Sequence, residues 1–274
     1  MSLAEIQHVS LSIQKDIHNF CVNNNISYTL CGGSLIGAIR HNGFIPWDDD
    51  LDIAMPRPDY ERFINSFTSK NGYKVFSREK KDGKNILLTY ARVCDMENTL
   101  VDSTESYWID EQTGVWVDIF PLDGAESDFF SVNQKTEKLK RIYDKTRKLR
   151  RAKIPFSWRK GLNYNLKVLF RKLFYPHNES LFDEYIDFCK EKPFNESHFF
   201  SSFSITHYGV REWQPISILS EYHLHPFEDA SFYVIKGYDK WLSALFGDYM
   251  QLPPPEKQVP GHSHMKFFWR SKHE

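Results

Sequence analysis

The stretch "GGSLIGAIRHNGFIPWDDDLDIAM", residues 32–55, sets Asp48, Asp49, Asp50 and Asp52 within five positions directly after an apolar, helix-like run. Carboxylates that close repel one another, so full solvation, basic partners or a metal cation must offset the repulsion. Asp50, Leu51, Asp52 and Ile53 alternate polar and apolar. Period-two alternation predicts a strand with both carboxylates on one face and Leu51 and Ile53 on the other. Two carboxylates side by side on a rigid strand suit Mg²⁺ or Mn²⁺. Just upstream, "ISYTLCGG" reads as a short strand ending in Gly32 and Gly33. "SLIGAIRHNG" then reads as a helix with Ser34 as N-cap and Gly43 as its stop. Such a turn lets backbone N–H groups approach a phosphate at the positive end of a helix.

A third carboxylate is expected from a neighbouring strand. "VWVDIF" supplies Asp118, which projects from an otherwise apolar run and is costly there unless paired or bound to metal. An EF-hand is excluded, because the glycine and glutamate it needs do not follow at the required offsets. Arg92, in "YARVCD", alternates along a strand and is a candidate to face the same site. Arg40, at the end of the predicted helix, is a candidate phosphate contact, and Glu228, in "PFEDASF", a candidate for an alcohol head group. His223 and His225 share one strand face, but no cysteine pair lies near them, so zinc is not expected.

A Gly-Gly-Ser turn, an Asp-x-Asp strand and a lone Asp on a later strand together resemble the nucleotidyltransferase fold. The longer block "GGSLIGAIRHNGFIPWDDDLDIAMPRPDYERF" looks like the signature of the LicD family. "VWVDIFPLDG", "PFEDASFYVIKGYDKWLSALFGDYMQLPPPEK" and "GHSH" resemble its downstream blocks, and fukutin-type ribitol-phosphate transferases share the core motif. The fold this implies is α+β: a nucleotidyltransferase-like mixed β-sheet core with flanking helices. The activity it implies is a metal-dependent phosphotransferase, moving a phospho-alcohol such as phosphocholine from a CDP-alcohol to a sugar hydroxyl of a surface glycan and releasing CMP. Teichoic acid, lipopolysaccharide and capsule are acceptors of that kind. The motif maps onto Asp50, Asp52 and Asp118 as catalytic and Mg²⁺- or Mn²⁺-binding residues, and onto Gly32, Gly33 and Ser34 at the donor phosphate, with CDP-choline the expected donor. Two rivals remain: a nucleotidyltransferase that releases pyrophosphate, and a non-catalytic glycan-binding module.

Outward from the motif, residues 3–23 read as an amphipathic helix. "PDYERFINSF" reads as a helix with Pro58 in its first turn. Strands are expected at 73–77, 86–93, 99–102 and 115–124, and helices at 127–152, 157–174, 179–191 and about 238–247. With no internal repeat, one catalytic unit over 1–274 is expected: a core at 1–125, a basic helical insertion at 126–192, and a C-terminal part at 193–274 completing the site.

Bulk charge, −1, names no partner, but residues 135–172 hold fifteen Lys or Arg against Glu137 and Asp144, a net +13 that leaves −14 for the rest. Leu162, Leu166, Leu169, Phe170, Leu173 and Phe174 form an apolar stripe bordered by Arg159, Lys160, Lys167, Arg171 and Lys172, with Trp158 and Tyr175 flanking it. That is the composition of an interfacial helix on an anionic membrane over residues 157–175, and also of a helix packed on a core. Nucleic acid is not expected, since no binding motif is present and the acidic remainder would repel it. Four scattered cysteines without a CxxC pair indicate a reducing setting. The N-terminus lacks an apolar stretch of the signal-peptide kind, and no apolar run is long enough to span a bilayer. The expected location is cytoplasmic, with attachment to the inner face of a membrane through the basic helices.

Overall fold

The computed structural model describes residues 1–102, 108–109, 112–262 and 265–270, apart from the side chain of Arg159. Helix α1, Leu3–Asn23, opens on a capping box in which Ser2 and Glu5 satisfy each other's backbone N–H groups. It buries Ile6, Val9, Ile13, Ile17 and Cys21 at helical spacing. Strand β1, Thr29–Leu30, leads into α2, Gly32–His41. The helix starts at Gly32, with extended Cys31 as its N-cap, so Ser34 lies inside the first turn and is not the cap. Asn42, in the left-handed region at φ 54°, ends it, and not Gly43.

Strand β2 is Asp52–Pro56, and α3, Arg57–Ser66, has Pro58 in its first turn. Strands β3, Tyr73–Phe76, and β4, Ala91–Asp95, follow. The run 86–90, expected as strand, forms no ladder: Ile86, Leu87 and Leu88 are buried as packing residues instead. Strand β5 is Thr99–Asp102 and β6 is Trp116–Ala125.

β6 organises the sheet. All ten of its residues are buried. Strand order is β1-β2-β6-β4-β3, and β7, Phe199–Ser201, continues from β6 to β8, Gln214–Pro215. β2 and β6 are parallel, whereas the other pairs of this sheet are antiparallel, so the sheet is mixed. A hairpin of β9, Tyr222–Phe227, and β10, Ala230–Ile235, packs beside β1, where Ile235 N–H donates to Thr29 Oγ1 at 3.2 Å. Strand β11, Lys266–Trp269, pairs with β5.

The basic segment is helical: α4, Phe129–Lys153; a 3-10 turn at Trp158–Lys160; α5, Gly161–Phe174; and α6, Ser180–Lys190. Val132, Leu139 and Ile142 of α4 meet Tyr185 and Cys189 of α6 in a second apolar cluster. Ion pairs stitch α6 to the sheet. Arg57 bridges Asp123 of β6 and Glu79, and Lys190 reaches Glu79 and Glu61. Helix α7, Tyr238–Phe246, buries Trp241, Leu242 and Leu245. All four cysteines are free and buried. No described helix is long and apolar enough to cross a membrane.

Candidate functional site

Register assembles the site. Asp52 of β2 stands directly opposite Asp118 of β6, and Asp118 directly opposite Arg92 of β4. Paired residues on adjacent strands point to the same face, so one row across three strands carries Asp, Asp and Arg. Asp118 and Arg92 form a two-pronged pair, Nε to Oδ1 at 2.6 Å and Nη2 to Oδ2 at 3.2 Å. The Arg92 guanidinium lies 4.3 Å from the Trp116 ring and 5.1 Å from that of Trp108. Arg92, expected as a substrate contact, thus neutralises a carboxylate of the site.

The strand at Asp52 begins two residues later than the alternation of Asp50 and Asp52 predicts. The Ser34 hydroxyl accepts the Asp52 N–H at 2.8 Å and fixes where β2 starts. Asp50 precedes the strand, yet its charge acts on Asp52 together with those of Asp118 and Asp48. Burial first, then those three carboxylates, push the Asp52 carboxyl well above the usual range. Asp48 is pushed up to about 8 by burial and by Asp50. Asp52 Oδ1 is out of solvent's reach and has no hydrogen-bond partner among the described residues. Crowded carboxylates with an orphaned oxygen are the donor set a hard divalent cation satisfies, so the residues present fit Mg²⁺ or Mn²⁺.

The C-terminal segment adds a second group. His262 lies over Asp49 and Asp50, with Nδ1 at 3.2 Å from Asp49 Oδ1 and 3.6 Å from Asp50 Oδ2. Ligand atoms of these three residues lie within 4.8 Å of one another. Burial disfavours the imidazolium, but the Asp49 hydrogen bond and the charges of Asp50 and Asp49 outweigh it, and the His262 pKa rises. Asp50 belongs to both groups. The aspartate run announced crowding but not that His262 would close over it; "GHSH" was the only signal, and its second histidine, His264, lies outside the described residues.

The N-terminus of α2 faces the carboxylates. Gly32 sits at φ +55° with Asp52 Oδ2 3.5 Å from where a Cβ would stand. A Cβ on Gly33 would lie 2.6 Å from Asp48 Oδ2, so Gly33 makes room for a carboxylate. The first amides of a helix have no partner within the helix and carry its positive pole, which suits an anion. Beside Asp52 opens a cavity of about 160 Å³, whose lining includes Gly33, Phe120, Tyr208, Glu212 and Trp241.

Two expected contacts are placed elsewhere. Arg40, at the other end of α2, donates from Nη1 to the carbonyls of Tyr249 and Gln251. Glu228 accepts the Phe44 N–H at 3.0 Å, and its own N–H donates to Asn42 O, so it ties the hairpin turn to the end of α2. His223 and His225 have ring centroids 6.2 Å apart, and no third described ligand joins them.

Residues 25–168 match the family model "LicD/FKTN/FKRP, nucleotidyltransferase domain". The chain is 32% identical over 276 residues to the lipopolysaccharide cholinephosphotransferase LicD of Haemophilus influenzae, covering 96% of both chains. Shorter matches join it to uncharacterized proteins of Rickettsia typhi, 38% over 77 residues and about a quarter of each chain, and Rickettsia prowazekii, 49% over 47 residues and under a fifth of each.

Proposed function

The chain belongs to the LicD family of phosphotransferases, and from that premise we propose that it moves phosphocholine from CDP-choline to a sugar hydroxyl of a lipopolysaccharide-type glycan, releasing CMP. The observation that carries this reading is the in-register row Asp52–Asp118–Arg92 beneath the N-terminus of α2. Asp50, Asp52 and Asp118 would hold Mg²⁺. When bound, the cation would neutralise phosphoryl oxygens and favour in-line displacement at phosphorus. The α2 amides from Gly32 to Ser34 hold the donor phosphate, and Ser34 fixes Asp52. Both Asp118 oxygens already accept from Arg92. Asp50 is 22% exposed against 6% for Asp118, and its affinity for protons is raised by burial. Asp50 is therefore the more open of these carboxylates to an approaching acceptor hydroxyl.

Incubation with CDP-choline, Mg²⁺ and a lipid A-core acceptor tests the reading. CMP together with a choline-bearing product supports it; pyrophosphate from a nucleoside triphosphate identifies a nucleotidyltransferase; glycan binding without turnover identifies a binding module.

The acid cluster sets a pH dependence. The folded pKa of Asp48, about 8, lies above its ordinary 3.8, so its contribution to stability is complete at low pH and is lost as pH rises through about 8. In EDTA, the melting temperature should fall from about pH 4 to about pH 8. Mg²⁺ should restore more of it at higher pH, because its ligands must be deprotonated. Scanning fluorimetry with and without Mg²⁺ measures both, and a Mg²⁺ shift independent of pH would remove the cluster from metal binding.

The partner surface proposed for α5 is an anionic membrane, at which a lipid-linked acceptor would be met. The stripe does not face the core: Leu162 is 75% exposed, Leu173 66% and Phe174 70%, and only Val168 of α5 is buried. Apolar side chains in that position suit an interface, and each basic residue beside anionic lipid adds about 1 kcal/mol. Wild type should sediment with phosphatidylglycerol vesicles, less so in high salt. The triple variant Lys167→Glu, Arg171→Glu, Lys172→Glu should lose binding at least tenfold and still use a short soluble acceptor. Equal sedimentation of the two proteins would overturn the membrane role.

A further inference from the structure

We propose that the cavity beside Asp52 is the pocket for the quaternary ammonium head of the donor, with Glu212 as its counter-charge and Trp241, Tyr208 and Phe120 as its aromatic wall. The inference deepens the phosphocholine reading and rests on it for the identity of the donor. Three observations carry it.

The first is place. The cavity shares Gly32, Gly33 and Asp52 with the carboxylate site. A phosphate held at the N-terminus of α2 would therefore border this cavity. The second is charge. Glu212 is buried at 4% exposure, and among the described residues it makes no ion pair. Its Oε2 accepts the Trp241 Nε1–H at 2.9 Å, which fixes the carboxylate. Neighbouring Arg211 is exposed, and its guanidinium donates to the Tyr208 and Leu245 carbonyls and lies 5.4 Å from the centroid of the Tyr208 ring, so its charge acts on Glu212 without forming an ion pair with it. A carboxylate taken out of water without a cation is costly, and a bound ammonium would repay that cost. The third is the wall. Aromatic faces around a carboxylate attract a desolvated quaternary ammonium, which has no N–H to donate and gains from rings what it loses in water.

Size and charge also direct the rest of the donor away from this cavity. At about 160 Å³ it is smaller than the ≈ 300–1,000 Å³ of pockets that take drug-sized ligands. A cytidine with its phosphate would exceed that space and be repelled by Glu212, so the nucleotide half must lie on the other side of the α2 N-terminus.

The test uses binding, so that it does not depend on turnover. Phosphocholine and its neutral carbon isostere, 3,3-dimethylbutyl phosphate, are titrated by calorimetry in Mg²⁺ against wild type and Glu212→Gln, which keeps the acceptor for Trp241. Wild type should prefer phosphocholine at least tenfold, and Glu212→Gln should lose that preference while binding the isostere like wild type. Tyr208→Leu, which removes a ring and no charge, should weaken phosphocholine severalfold and serves if Glu212→Gln fails to fold. No preference in wild type, or an unchanged preference in the folded variants, overturns the proposal. CMP release from CDP-choline without preference would leave the transferase reading standing and remove the pocket; preference without CMP release would keep the pocket and remove the reaction.

Discussion

Asp52→Asn should lower phosphocholine transfer by about a thousandfold or more, a barrier increase of about 4 kcal/mol, while the protein stays folded. Asp52 combines an orphaned buried oxygen with three neighbouring carboxylates, so its charge has no use in the metal-free protein. Removing that charge relieves repulsion and should raise the melting temperature in EDTA. The same variant should lose most of the melting shift that Mg²⁺ produces in wild type, because a ligand is gone. The two readouts move in opposite directions, which a simple loss of structure cannot imitate. Turnover above about a tenth of wild type, a change under ~1.4 kcal/mol, would sink the metal-site reading. Asp118→Asn is a poorer probe, since it strips the buried Arg92 of its partner and confounds chemistry with stability.

The largest effect on stability is expected at Arg57. Its guanidinium bridges Asp123 at 2.6 Å and Glu79 at 2.9 Å, and the three side chains are 9%, 1% and 8% exposed. Those carboxylates hold the Arg57 proton more tightly than in a free arginine, despite burial. Arg57→Leu leaves buried Asp123 without its partner and Glu79 with Lys190 alone, and should cost about 3–5 kcal/mol. For a protein of this size that is roughly 10 °C in melting temperature. In the variant, Asp123, whose carboxyl is already pushed above the ordinary range by burial, loses the Arg57 charge that offsets the burial. Stability from that source is present at low pH and lost as pH rises, so the deficit should narrow as pH falls toward the ordinary carboxylate range. The double variant Arg57→Leu, Asp123→Leu should recover part of the loss, because it replaces both partners of a buried pair. A deficit below about 1 kcal/mol for Arg57→Leu alone would show that the network is solvated in solution.

Much of the fold is legible in residue patterns. The amphipathic period of 3–23, the prolines around α3 and the apolar run 115–124 each name an element correctly, because local spacing decides which side chains share a face. Errors arose where tertiary contact overrode local preference. Ser34 has the chemistry of an N-cap, but its hydroxyl serves β2. Ile86 to Leu88 have the composition of a strand, but they are spent on packing.

By itself the sequence determined most of the element types, the crowding of aspartates at 48–52, the oddness of an acid in "VWVDIF" and the resemblance to LicD proteins. Only the tertiary structure decided which of those charges meet. The Asp52–Asp118 register spans 66 residues and the His262–Asp49 contact 213, and no periodicity carries information over such distances. Glu212 comes to line the cavity beside Asp52 through the packing of α7 and the 3-10 turn at Gly209–Glu212, unannounced by any motif. The stripe on α5 is the same pattern for a core-facing and a membrane-facing helix, because 3.6-residue spacing says which side chains share a face and nothing about what that face meets.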